Sequence, residues 1–114
     1  MADCLFCKIR DGKIPSKKVF EDERVFAFED IYPQAPTHVL VVPKKHLATM
    51  NDVTVADTEW VGHLFYAGTR IAQERGLSEN GYRLVINTNA DAGQTVFHVH
   101  LHVMGGRPFQ WPPG

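Results

Sequence analysis

The sequence predicts an α+β fold, in which a mainly antiparallel five-stranded sheet carries one long helix and a short N-terminal helix. Three observations predict it. Short β-prone runs bounded by turn residues occur three times before the middle of the chain and twice after it. A single stretch, Val53 to about Gly76, has helical periodicity instead. No strand-helix-strand repeat appears, which disfavours a doubly wound parallel sheet.

The segment Cys4 to Arg10 reads as a short helix stopped by Asp11-Gly12, with Pro15 limiting any continuation. Val19-Phe20 and Val25-Phe26-Ala27-Phe28 flank the charged turn Glu21 to Arg24 and read as a hairpin. After the turn from Pro33 to Pro36, His38 to Val42 is a β-prone run closed by Pro43. In the helix, Trp60, Leu64, Ala67 and Ile71 form an apolar stripe that should lie on the sheet. Asp52 or Thr54 is positioned to cap its start and Gly76 marks its end. Tyr82 to Asn87 is the fourth strand, Thr88 to Gly93 a polar connection, and Val96 to Met104 the fifth strand, ended by Gly105-Gly106. Five strands cannot bury every face under one long helix, so the remainder is expected to extend across a homodimer.

The chain has 114 residues, which is expected to make a single domain over 1–114. Twelve Lys and Arg against thirteen Asp and Glu give a net charge of −1, so there is no global basic field for nucleic acid or an anionic membrane. Lys44-Lys45 reads as a solvated turn. No stretch has the length of a membrane span and the start lacks the pattern of a signal peptide, so a cytoplasmic location is expected. In such a reducing compartment the Cys4-x-x-Cys7 spacing points to metal binding or redox chemistry more than to a structural disulfide.

His98-Val99-His100-Leu101-His102 places three imidazoles at alternate positions. In a strand they share one face, while Phe97, Val99, Leu101 and Val103 share the other and anchor a core. Metal ligation, proton transfer and nucleophilic attack could all use such a face. At about 3.3 Å per residue the outer two histidines stand roughly 13 Å apart, too far for all three to ligate one zinc, although adjacent histidines could share a metal.

With its flanks, Gln94-Thr95-Val96-Phe97-His98-Val99-His100-Leu101-His102-Val103 resembles the signature of the histidine-triad superfamily of nucleotide hydrolases and transferases. Phe6-x-x-Ile9, Ile14-Pro15, Pro33 to His38, Pro43 to His46, Gly81-Tyr82-Arg83 and the ending Trp111-Pro112-Pro113-Gly114 are similar to its histidine-triad nucleotide-binding branch, which are purine nucleoside phosphoramidate hydrolases. The resemblance implies that His100 is the nucleophile on the α-phosphorus, with His102 and Thr95 binding phosphoryl oxygens or the leaving group and His38 completing the network. The family often has serine at the position of Thr95. The resemblance also implies a nucleoside pocket of Phe6, Ile9, Phe28, Ile31, Val96 and His98, with Asp30 on the ribose hydroxyls and Asn87 and Gly93 near the phosphate. Trp111 would reach the partner's site across the dimer.

Catalysis in this branch requires no cofactor. Some superfamily members, however, hold a structural zinc through residues of the types found here at Cys4, Cys7, His46 and His98. The alternative is that the cysteines are small buried side chains and His46 caps a turn. At the level of function, three readings stand beside the phosphoramidate hydrolase: a zinc hydrolase ligated by the histidines, a nucleotide-binding or scaffolding protein with incidental catalysis, and a dinucleoside polyphosphate hydrolase.

Overall fold

In a computed structural model, residues 4–114 are described. The elements in chain order are α1 (Leu5–Arg10), β1 (Lys18–Glu21), β2 (Val25–Glu29), β3 (Thr37–Pro43), α2 (Thr58–Glu74), β4 (Tyr82–Val85) and β5 (Leu101–Gly105). The five strands form one antiparallel sheet in the order β1-β2-β3-β5-β4. The predicted α+β architecture, with its long helix and short N-terminal helix, is the one observed.

Alternation along β2, β3 and β5 divides the side chains between two faces. Val25, Ala27, Val39, Val41, Leu101 and Val103 form the main core with Leu64, Ala67 and Ile71 of α2. The predicted helical stripe therefore does lie on the sheet. Gly68 lets the helix approach closely, since a Cβ there would stand 2.9 Å from Leu101 Cδ2 and 3.2 Å from Val103 Cγ2. The other face carries Phe26, Phe28, Leu40 and Val42, covered by Phe6 of α1. This smaller apolar layer supports the candidate site.

Three element boundaries differ from expectation. Helix α2 begins at Thr58 rather than near Val53, because two short 3₁₀ turns, Met50–Asp52 and Val55–Asp57, precede it. The Asp52 carboxylate accepts from the Thr49 N–H at 3.3 Å and that of Asp57 from the Thr54 N–H at 2.9 Å, so Asp52 and Thr54 cap these turns instead of the helix. Buried Asp57 also accepts from Lys45 Nζ at 2.6 Å and Trp60 Nε1 at 2.8 Å, and these partners hold its pKa below the usual carboxylate range. Strand β4 ends at Val85, two residues early. The third difference, at the start of β5, alters the site itself.

Candidate active site

Strand β5 begins at Leu101, so of the three alternating histidines only His102 lies in the ladder. His98 and His100 precede it in an irregular segment, against the prediction of a strand from Val96. The register that pairs Val41 with Leu101 would bring Pro43 opposite Val99, and Pro43 has no N–H to donate. Val99 N–H instead donates to Leu47 O at 2.8 Å. Val99, Leu101 and Val103 still enter the core, but Phe97 is 48% exposed and anchors nothing. The histidines keep to the Phe6 side of the sheet, opposite Val99, Leu101 and Val103, but they have different outlooks: His98 Nδ1 faces the cysteines, while His100 and His102 line a cavity.

Hydrogen bonds assign the ring protons. His100 Nδ1 donates to His98 O at 2.8 Å, which leaves the Nε2 lone pair unoccupied. The Gln34 backbone N–H donates to His38 Nδ1 at 3.0 Å, so the proton of neutral His38 is on Nε2. That nitrogen donates to His102 Nδ1 at 2.9 Å, leaving His102 Nε2–H as a donor. Register explains the pairing, since Leu40 faces His102 and His38 is two residues along the same face. Burial pushes the pKa values of His38 and His100 down and that of His102 to about 4. The shifts favour the neutral form of each ring at pH 7.

His100 and His102 open onto a cavity of about 330 Å³. Of the predicted residues, Phe6, Ile9, Phe28, Asp30, Ile31, Thr95 and Val96 line it with them. The Phe6 ring stands edge-on to Phe28 at 5.5 Å and to His100 at 5.0 Å, tying the apolar wall to that imidazole. Asp30 Oδ1 accepts from Tyr32 N–H at 2.8 Å, and Asp30 Oδ2 is 3.4 Å from His38 Nε2. The carboxylate therefore sits at the junction of the relay and the apolar slot.

His38 lies behind the cavity wall as the partner of His102. Asn87 and Gly93 are not among the lining residues, and Trp111 is 84% exposed. The reading of single site residues missed Leu5, Ile14, Pro15, Ser16, Glu29, Tyr32 and Leu40, which complete the wall. Ile14-Pro15 carried a signal, because it belongs to the quoted resemblance. Gln94 was also missed as a positioning group. It is buried, donates to Ala48 O at 2.8 Å and Val96 O at 3.1 Å, and accepts from Asn89 N–H at 2.8 Å.

Behind His100, the donor atoms of Cys4, Cys7, His46 and His98 lie within 4.8 Å of one another. His98 Nε2–H donates to Pro43 O at 2.8 Å, which leaves Nδ1 facing Cys4 Sγ at 3.3 Å, Cys7 Sγ at 3.5 Å and His46 Nδ1 at 3.0 Å. Two thiols and two imidazoles aimed at one point, with a carbonyl orienting one of the rings, fit a closed tetrahedral zinc site. His100 and His102 are outside this set. Asp30, His38 and His102 form a second close group, in which the His38 Nε2 proton occupies the gap between the two rings.

The chain matches the HIT domain over residues 11–109. It is 44% identical over 106 residues to the purine nucleoside phosphoramidase of Escherichia coli K12, covering 93% of this chain and 89% of that protein. The crystal structure of a HIT family hydrolase from Legionella pneumophila Philadelphia 1 superposes with a TM-score of 0.96 at 55% identity, covering 98% of this chain and all of that one. A zinc-bound histidine triad family protein from Mycobacterium smegmatis superposes with a TM-score of 0.82 at 38% identity, covering 93% of this chain and 76% of that one.

Proposed function

The chain belongs to the HIT family, and we propose that it hydrolyses purine nucleoside 5′-phosphoramidates to a nucleoside monophosphate and a free amine. The observation that carries this reading is the His100 Nδ1–H held on His98 O, which leaves Nε2 as a neutral nucleophile at the cavity wall. In the first step Nε2 bonds to the α-phosphorus and the phosphorus–nitrogen bond of the substrate breaks. His102 Nε2–H donates its proton to the departing amine, so that a neutral amine leaves. In the second step water attacks the nucleotidyl-histidine and gives a proton to His102 Nε2, the phosphorus–nitrogen bond to His100 breaks, and the monophosphate leaves with both imidazoles restored. The Thr95 hydroxyl is assigned to a phosphoryl oxygen, Asp30 to the ribose hydroxyls and the Phe6, Ile9, Phe28 and Ile31 wall to the base. Asn87 and Gly93 are assigned to the phosphate end.

The reading includes a single HIT domain over 1–114, a homodimer that receives Trp111 at the partner's site, and a cytoplasmic location. Exposed Phe65 and Tyr66 on α2 support the dimer, and no helix of the described residues is long and apolar enough to cross a membrane. Zinc at Cys4, Cys7, His46 and His98 is assigned a structural role. When bound there, it would hold His98 and hence the carbonyl on which His100 rests. Rapid quench with a phosphorus-labelled adenosine phosphoramidate should trap label on His100. Full turnover by His100→Ala would overturn the assignment.

A further inference from the structure

The hairpin loop between β2 and β3 carries both Asp30 and the backbone donor that fixes His38. Its base is tied by the Asp30 N–H donating to His38 O at 2.9 Å. Its tip is held from outside, by the chain leaving β5. Gly106, with φ of +95°, brings this tail so close to the loop that a Cβ there would stand 2.8 Å from Pro36 Cβ. One residue later, Arg107 donates through Nε at 3.1 Å and Nη2 at 3.0 Å to the single carbonyl of Gln34. Its remaining Nη1 donates to Pro108 O at 3.0 Å. The guanidinium also stacks 4.3 Å over the Phe109 ring, with Arg83 5.0 Å from the same ring. A long surface side chain is thereby held in one geometry, and its two-pronged donation fixes a backbone unit as lysine could not.

We propose that Arg107 is a positioning residue for the histidine relay: by holding the Gln34 carbonyl it keeps the Gln34 N–H on His38 Nδ1, and so keeps His102 Nε2–H a proton donor. This deepens the phosphoramidate hydrolase reading and rests on it for its catalytic consequence. The chain of contacts runs from Arg107 to Gln34, from Gln34 to His38 and from His38 to His102. If the loop relaxes, His38 Nδ1 loses its donor and is free to take a proton. In the flipped tautomer, His38 Nε2 becomes an acceptor, His102 must carry its proton on Nδ1, and the donor into the cavity is lost. In the imidazolium, the new charge pairs with the Asp30 carboxylate 3.4 Å away and competes with its use in binding. Either outcome damages the site without touching a residue that lines it.

The test uses full-length protein with ring-¹⁵N-labelled histidine, comparing native, Arg107→Met and Arg107→Lys. Methionine keeps the unbranched stem and removes every donor; lysine keeps one donor group. Long-range ¹H–¹⁵N spectra at pH 6.5 should show His38 unprotonated at Nδ1 in the native protein. In Arg107→Met, a third or more of the molecules should carry a proton there, and kcat should fall about tenfold. Arg107→Lys should fall between the two in both readouts. A His38 spectrum unchanged in Arg107→Met overturns the proposal even if stability drops, because a merely structural role would leave the ring untouched. The spectra need no substrate, so a native protein inactive on phosphoramidates would overturn the functional reading and leave this test of the relay intact.

Discussion

Burying a neutral imidazole makes the fold acid-labile by an amount the structure sets. His102 is held at a pKa of about 4, chiefly by desolvation and then by His100 and His38 beside it, whereas in the unfolded chain it returns to about 6.5. Between those values the unfolded chain binds a proton that the fold refuses. Stability from this residue is therefore full above about pH 6.5 and is lost as pH falls towards 4. The whole gap is worth about 3 kcal/mol, most of it gone by about pH 4.5. His102→Gln removes the titrating group while keeping an acceptor for His38 Nε2–H and a donor into the cavity. Urea unfolding of both proteins at pH 7 and pH 4.5 gives the comparison. The native protein should lose about 2 kcal/mol more than the variant over that interval. Contributions from the other histidines are common to both proteins and cancel to first order. Equal losses would mean that His102 is not held neutral by burial, and the proton assignment of the relay would fail with it.

Two further outcomes follow from the packing around the site. Cys7→Ser should weaken zinc binding about a hundredfold or more, read by competition with a chromophoric chelator, and should weaken the thiolate-to-metal absorption of the cobalt form. Native-like affinity in that variant would remove Cys7 from the ligand set. Gly68→Val adds two methyl groups beyond a Cβ that would itself stand 2.9 Å from fully buried Leu101. It should cost about 2 kcal/mol or more and lower Tm by about 10 °C, whereas an unchanged Tm would contradict the close helix-sheet approach.

The sheet was legible in the sequence because its alternation is local. Val25 to Phe28 and His38 to Val42 announce their two faces without reference to anything distant. The start of α2 was misread for a local reason as well: Val53 to Asp57 continues into a helical pattern, yet Thr49 with Asp52 and Thr54 with Asp57 close two turns before the helix begins. The fifth strand began late for a non-local reason, the missing N–H of Pro43 across the ladder. The cavity was legible where side-chain type carries the chemistry, as at His100, His102 and Asp30. It was illegible at Leu5, Ser16 and Leu40, whose membership depends on how α1 and the following loop fold over the sheet.

The three alternating histidines are chemically identical until the backbone and one neighbouring ring occupy one nitrogen of each. Pro43 O takes the Nε2 proton of His98 and turns Nδ1 towards the cysteines. His98 O takes the Nδ1 proton of His100 and leaves Nε2 for the cavity. His38 fills Nδ1 of His102 and leaves Nε2–H as a donor. The proposed ligand, nucleophile and proton donor thus differ by which nitrogen is already used. The differentiation is sequential, because the carbonyl that orients His100 belongs to the residue whose ring enters the metal cluster. A change at Cys4, Cys7 or His46 can therefore reach the His100 ring through one peptide unit, and a change at Arg107 can reach the His102 ring through His38. The two supports are separate: Arg107→Met should leave the affinity for zinc as it is, and Cys7→Ser should leave the protonation of His38 unchanged.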